Sequence, residues 1–264
     1  MSAAAEARIS VLDGLLDEVP PTDSLSSELF AVVDALDSSP TLRRALTDPN
    51  ASERDRQALA RSLLTGRVSD STLRLVSEAV ALRWSGGRTL AAALERQAVR
   101  AELMKADAAG QLDETEDALF RFARVVESSP ELRNALGDRR ISLAGRQSLV
   151  GQLLDGRVPP AAALLAKRAV AARERTFAHS IESFVNLAAE QKNRLVATVR
   201  VARPLEPEQS RRLREALRRQ VGRDVVVQEI VDPEVLGGVQ VELGNEIIEG
   251  TVGSRLAEAE RLFG

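Results

Sequence analysis

The spacing of apolar residues divides the chain into a long helical region and a short region of strands. Leu119, Phe122, Ala123 and Val126 follow the i, i+3, i+4, i+7 spacing that forms one face of a helix. In residues 195–202 the apolar positions instead alternate along the chain, as they do in a strand. This pattern predicts an α+β protein, with an all-α helical bundle followed by a small α/β domain.

The helical region contains an internal repeat. Residues 29–46, "LFAVVDALDSSPTLRRAL", recur as residues 119–136, "LFRFARVVESSPELRNAL". The offset of 90 continues without a gap to residues 68 and 158, and 19 of these 40 positions are identical. Two copies are too few for a solenoid, so we interpret the repeat as a duplicated helical domain.

Polar residues at matching places in the two copies predict where the helices begin and end. Ser129 is placed to cap a helix that has Pro130 in its first turn, and "SSPTL" does the same in the first copy. Ser52 and Ser142 are further candidate caps. The glycines of "TGRV" and "DGRV" are typical helix stops.

We predict three segments along the chain. Residues 1–87 are an extra helical repeat, residues 88–192 a helical bundle, and residues 193–264 a small α/β domain. Residues 88–109 read as one long amphipathic helix that closes the first copy and opens the second.

The third segment is expected to contain helix 207–221 between strands. Its predicted strands are 195–202, 225–231, 239–243 and the short "EIIE" run. Gly244-Asn245 is a pair suited to a tight hairpin turn. Thr251 is a candidate cap for a last helix.

Composition limits the classes of function. The chain has 264 residues, a formal charge of −3, and no cysteine or tyrosine. Disulfides and thiolate sites are excluded, and no overall positive field attracts nucleic acid or anionic lipid. The first residues lack the apolar stretch of a signal peptide, and no apolar run reaches the roughly 20 residues that cross a bilayer. At a membrane, we therefore expect another subunit to hold the protein in place.

No motif gathers catalytic groups, metal ligands or cofactor ligands. Gly237-Gly238 precedes a strand rather than a helix and has no following lysine, which favours a turn over a phosphate-binding loop. The sole histidine, His179, cannot form a histidine-rich metal site and is expected on a helix face. The 39 scattered carboxylates specify no acid–base pair, although a hidden carboxylate site stays open.

Residues 211–223, "RRLREALRRQVGR", carry six arginines and one glutamate. This cluster suits the phosphates of nucleic acid or an acidic partner helix. It also suits the solvated face of an amphipathic helix whose arginine stems cover apolar surface, and the missing aromatic residues and the acidic chain count against nucleic acid.

The segment "VDPEVLGGVQVELGNEIIEGTVGSRL" resembles the C-terminal signature of the delta subunit of F-type ATP synthase, a family that includes the mitochondrial oligomycin-sensitivity-conferring protein. The resemblance rests on Asp232, Pro233, Gly237, Gly238 and Gly250, in that order, and on "VATVRVARPLEPEQ" and "SSPELRNAL". It covers roughly residues 90–264. The preceding residues exceed the typical family length, as in the long delta subunits of actinobacteria.

The resemblance implies a non-catalytic stator subunit without a cofactor. Such a subunit links the alpha/beta catalytic hexamer to the b-subunit peripheral stalk, so that rotation is coupled to ATP synthesis and proton transport. Its implied partners are N-terminal helices of alpha subunits and the C-terminal helix of the b subunit, with one copy per complex. The implied location is the cytoplasmic face of the plasma membrane, reached only through the complex. The alternative is a helical adaptor that binds nucleic acid or another acidic partner through the basic helix 211–223.

We predict two partner-binding surfaces. The first is a groove of small residues between helices 88–109 and 176–192, where the same positions could instead form the bundle core: Leu94, Ala98, Ala101, Ile181, Val185 and Ala188. The second is the basic helix, where Arg218 and Arg219 are candidates for pairing with acidic positions of the b subunit.

Overall fold

The computed structural model describes residues 3–20, 22, 24–171, 176–192, 195–221, 225–232, 238–243 and 246–251. The chain forms two compact units, Met1–Lys192 and Asn193–Gly264. The first unit is helical and the second combines a sheet with a helix. The predicted α+β class is therefore confirmed.

The described residues of the first unit form eleven helices, which follow the predicted pattern of breaks. They are α1 (Ala3–Asp17), α2 (Leu25–Ser38), α3 (Pro40–Leu46), α4 (Glu53–Leu64), α5 (Asp70–Ala81), α6 (Gly87–Ala108), α7 (Leu112–Ser128), α8 (Pro130–Gly137), α9 (Leu143–Leu154), α10 (Pro160–Ala169) and α11 (Phe177–Lys192).

The predicted caps are present in both copies. Ser39 and Ser129 accept hydrogen bonds from the backbone amides of Leu42 and Leu132, and each stands before a proline in the first helical turn. Ser52 and Ser142 cap α4 and α9 in the same way. These side chains satisfy amide groups that a helix cannot pair internally, so each helix begins where its serine is placed.

Two glycines end equivalent helices. Gly66 follows α4 with φ 75° and Gly156 follows α9 with φ 73°. This left-handed conformation is strained for residues with a side chain, which explains why a glycine stands at each position.

Helix α6 packs against helices of both copies. It contacts α1, α2, α3 and α5, which precede it, and α7, α10 and α11, which follow it. One continuous apolar core contains Leu29 of the first copy, Leu94 of α6 and Leu119 of the second copy. The division of this unit at residues 87 and 88 stays a prediction, and α6 is where the two parts share their core.

The described part of the second unit is a four-stranded sheet with one helix. Its elements are β1 (Leu195–Val201), α12 (Pro207–Val221), β2 (Val225–Val231), β3 (Gly238–Leu243) and β4 (Glu246–Thr251), with strand order β2-β1-β3-β4. β1 and β2 are parallel, while β3 pairs antiparallel with both β1 and β4. α12 provides the crossover that a parallel pair requires and packs on β2.

The residues predicted to form the apolar face of the first strand are the ones that β1 buries. Ala197, Val199 and Val201 are buried together with Leu217 of α12 in a separate small core. β3 and β4 pair from Leu243 opposite Glu246, as two strands joined by a two-residue hairpin do. The Gly244-Asn245 turn and the predicted last helix lie outside the described residues. Thr251, predicted to cap that helix, is the last residue of β4.

Candidate partner-binding site

The acidic and histidine side chains of the described residues are spread over the structure. No group of three or more His, Cys, Asp or Glu side chains in this part of the chain could hold a metal ion. His179 is half-buried on α11, as expected for a histidine on a helix face. Trp84 donates a hydrogen bond from its indole nitrogen to the carbonyl oxygen of Ala79 (2.7 Å), which anchors the end of α5.

The residues of the predicted groove between α6 and α11 are mostly core residues. The structure buries five of them in the apolar core: Leu94, Ala98, Ala101, Ile181 and Ala188. Val185 is the exception, because it is half-buried and faces a different groove. The contact between α6 and α11 is thus a packed helix interface, and its small side chains allow these two helices to approach closely.

An open groove lies between α7, α8 and α11 and encloses about 930 Å³. Phe120, Ala123 and Val126 of α7 line one wall, and Phe177 and Val185 of α11 line the other. The side chain of Phe120 is 53% exposed. A large aromatic ring left in solvent beside a concave surface is typical of a binding site for another molecule.

The rim of this α7 groove is basic. Arg124, Arg133, Arg139 and Arg146 line it, against Glu127 and Glu182. Arg124 pairs with Glu127 at 2.8 Å, and Arg146 donates hydrogen bonds to the carbonyl oxygens of Leu136 and Val170. Within the described residues, Arg133 and Arg139 contact no carboxylate.

Sequence reasoning missed this groove, although the repeat contains a signal for it. Phe120 is equivalent to Phe30 and Arg124 to Asp34, so the charge at one helical position changes sign between the copies while the aromatic ring is kept. A position that changes charge in an otherwise similar repeat indicates a surface with a different neighbour.

The second predicted surface is the basic face of α12. Arg211 pairs with Glu208 and Glu215, and Arg212 also pairs with Glu208, so part of the positive charge is neutralised within the helix. These hydrogen bonds hold the pKa of Glu208 below its ordinary value. Arg218 and Arg219 are exposed in the last turn, where the predicted partner contact was placed.

The described residues of the C-terminal signature segment lie in the sheet or next to it. The amide of Asp232 donates a hydrogen bond to the carbonyl oxygen of Val201 (2.9 Å), and its carboxylate lies 3.6 Å from Arg200. Gly238 pairs with Thr251 and Gly250 with Val239 in the antiparallel ladder. Gly238 is the first residue of β3. Pro233 and Gly237 lie outside the described residues.

Comparison with known families identifies this arrangement. The family described as ATP synthase delta (OSCP) subunit matches residues 99–263, from the middle of α6 through the second unit. The chain belongs to this family. The match excludes most of the first copy, which nevertheless has counterparts in individual relatives.

Three relatives, each named ATP synthase subunit delta, illustrate the similarity. The protein of a Parafrankia species is 44% identical over 243 residues, covering 92% of this chain and 87% of its own length. That of Kineococcus radiotolerans is 41% identical over 261 residues, covering 98% and 95%. That of Frankia alni is 39% identical over 273 residues, covering 99% of both chains. Much of the sequence that precedes the family match is therefore also similar to these delta subunits.

None of the described helices combines the length and the apolar character that crossing a membrane requires. As a member of the family, the chain is a non-catalytic, peripheral part of the F1 complex.

Proposed function

We propose that this chain is the stator subunit that links the alpha/beta hexamer of an F-type ATP synthase to the b-subunit peripheral stalk. Family membership across residues 99–263, with near full-length similarity to delta subunits, carries this conclusion. A stator must resist torque without slipping, and a continuous helical core suits that task because packed interiors deform little.

The proposed partners are N-terminal helices of alpha subunits for the helical unit and the C-terminal helix of the b subunit for the second unit. We place one copy in each complex, at the cytoplasmic face of the plasma membrane. Helix faces and grooves are the surfaces that recognise amphipathic helices. The helical unit contributes the α7 groove, and the second unit contributes the exposed arginines of α12.

The extra helical repeat, residues 1–87, is proposed to have arisen by duplication of the following bundle. Matching caps support this history, and so do two hydrogen bonds at equivalent positions. The side chain of Arg56 donates a hydrogen bond to the carbonyl oxygen of Val80 (2.8 Å). In the second copy Arg146 donates one to the carbonyl oxygen of Val170 (3.2 Å), and both residues lie ninety positions after their equivalents. The glycine stops Gly66 and Gly156, also ninety positions apart, add to this support.

Co-purification tests the stator function. A tagged chain isolated from native membranes in mild detergent is expected to bring the alpha and b proteins with it, while an untagged strain gives neither. Recovery of neither protein would contradict the proposal. The nucleic-acid adaptor has no support from the family, and it predicts binding to a random duplex at low salt that weakens steeply as salt rises.

A further inference from the structure

The first copy shows how its own aromatic position is covered. Phe30 of α2 is only 5% exposed, and the guanidinium of Arg168 from α10 lies over its ring, 4.3 Å from the ring centre. The same guanidinium forms two hydrogen bonds with Asp34, one turn along α2, both 2.9 Å long. Phe30 and Asp34, four residues apart on α2, thus bind α10 of the other copy. The ring makes a cation–π contact with Arg168, and the carboxylate makes an ion pair with it.

The second copy keeps the aromatic residue but leaves it uncovered. Phe120 is equivalent to Phe30, yet it is 53% exposed and forms a wall of the α7 groove. Arg43 of the first copy donates to the last carbonyl oxygens of α2 and packs against the first turn of α6. Its equivalent, Arg133, instead lines the groove. The repeat therefore presents one surface twice, once occupied from within the chain and once open.

The charge of the open surface indicates what would cover it. Arg124 stands where Asp34 stands in the first copy, so an acidic group complements this position, whereas Arg168 supplies a basic group in the first copy. Arg124 already pairs with Glu127 on α7, but both side chains are exposed, and such a surface pair leaves the guanidinium open to a second carboxylate. Arg133 and Arg139 add two guanidinium groups to the rim, neither of which contacts a carboxylate among the described residues. Apolar walls with a rim of excess positive charge complement an apolar stripe that is flanked by carboxylates.

We propose that the α7 groove binds an acidic amphipathic helix of another subunit of the complex. The apolar stripe of that helix covers Phe120 and Ala123, and its carboxylates pair with Arg124, Arg133 and Arg139. The first copy does not offer this site, because Arg168 already covers Phe30. This inference rests on the proposed stator function and names the chemistry and the place of one contact.

A peptide pair tests the groove on the purified full-length chain. Two synthetic peptides of about 20 residues share one leucine stripe, and the stripe is flanked by glutamates in one and by lysines in the other. We expect the glutamate peptide to bind and the lysine peptide to bind at least about tenfold more weakly. Phe120→Glu and Arg124→Glu should each lower the affinity for the glutamate peptide by about tenfold or more. Added salt should lower this affinity as well.

Arg121→Glu is the matched control. It makes the same charge reversal on α7 at an exposed residue that does not line the groove. It should leave peptide affinity unchanged, and fluorescence of the sole tryptophan, Trp84, verifies that every variant is folded. Equal affinity for the two peptides, or unchanged affinity after both groove substitutions, overturns the proposal.

Cross-linking in the assembled complex separates this proposal from the stator function. The chain has no cysteine, so the Ala123→Cys and Arg121→Cys variants each carry a single thiol. A short bifunctional cross-linker should join the Ala123→Cys variant, but not the Arg121→Cys variant, to a neighbouring protein of the complex. If the alpha and b proteins are recovered but the Ala123→Cys variant gives no such product, the groove proposal fails and the stator function stands. If neither of them is recovered, the stator function fails.

Discussion

The guanidinium of Arg56 donates a hydrogen bond to the carbonyl oxygen of Val80 at 2.8 Å. Further bonds reach the carbonyl oxygens of Ala51 and Ala81, so this buried cation lies at the C-terminus of α5 with oxygen partners on several sides. Carbonyl groups at a helix C-terminus lack helical partners and carry partial negative charge. Arg56 therefore ties α4 to α5 through groups that would otherwise be buried without hydrogen bonds.

Replacing this arginine should destabilise the helical unit. Arg56→Met removes the donors and leaves buried carbonyl oxygens, and we expect a loss of about 1–3 kcal/mol in the free energy of unfolding. Urea denaturation followed by the fluorescence of Trp84 measures this loss. Arg54→Met, at an exposed position on the same helix, should change stability by less than about 0.5 kcal/mol. Equal effects of the two substitutions would contradict the assigned role.

The first turn of α6 tolerates no side chain at Gly87. A β-carbon there would lie 2.6 Å from the β-carbon of Arg43, on α3. Gly87→Ala should therefore push α3 away from α6 and cost about 1–3 kcal/mol. Gly86→Ala is the control, since Gly86 has an extended backbone with φ 166° and open space around it. The midpoint of urea denaturation, followed by far-UV circular dichroism, should fall for Gly87→Ala and stay almost unchanged for the control.

Asp13 joins α1 to α6, and its charge should make stability depend on pH. Burial raises the pKa of Asp13, but Arg100 and Arg96 and a hydrogen bond from Gln97 outweigh burial and hold it below its ordinary value. A depressed pKa means that the contribution is present above the unfolded value of about 3.9 and is lost as pH falls through the folded value. Asp13→Asn should lower the free energy of unfolding at pH 7. The difference in this free energy between the variant and wild type should become smaller below about pH 4.

The same experiment has a surface control. Glu18 pairs with Arg74, and both side chains are substantially exposed. Glu18→Gln should cost less than about 1 kcal/mol, because such pairs are solvated and screened. If the difference between Asp13→Asn and wild type stayed constant down to about pH 3, the ionic role of Asp13 would be refuted.

The basic face of α12 should contribute to binding of the stalk. Reversing Arg218 and Arg219 to Glu is expected to weaken binding of the b subunit, with the largest effect at low salt, because exposed charges are screened at higher ionic strength. Isothermal titration at two salt concentrations, with a peptide from the C-terminus of the b protein, measures it. Glu215→Arg adds positive charge to the same helix and should strengthen binding. Unchanged affinity of the double variant at low salt would rule out this contact.

Local signals let the sequence predict most element boundaries in the described residues. The sequence pattern predicts helix 207–221 with the bounds of α12, and the predicted long helix 88–109 corresponds to α6. The serine caps and glycine stops work within one turn of the chain, so their effect does not depend on the rest of the fold. The ordered residues of the C-terminal signature identified the family for the same reason, since they are read along the chain.

Burial and exposure of equivalent residues needed the tertiary structure. No local pattern explains why Leu94 and Ile181 are core residues while Val185 borders a groove, because all three follow the same helical spacing. Their positions depend on which helix faces which, and side chains far apart in sequence determine that packing.

The sequence by itself thus determined the helices, the strands, the repeat and the family, because each depends on contacts within a turn or on the order of residues. The tertiary structure alone decided which of two equivalent aromatic residues is exposed. Phe30 and Phe120 lie in matching local sequences, but among the described residues a guanidinium from a helix 138 positions away lies over Phe30 and none lies over Phe120. A surface is closed or open according to long-range packing, and neighbouring residues along the chain do not contain that information.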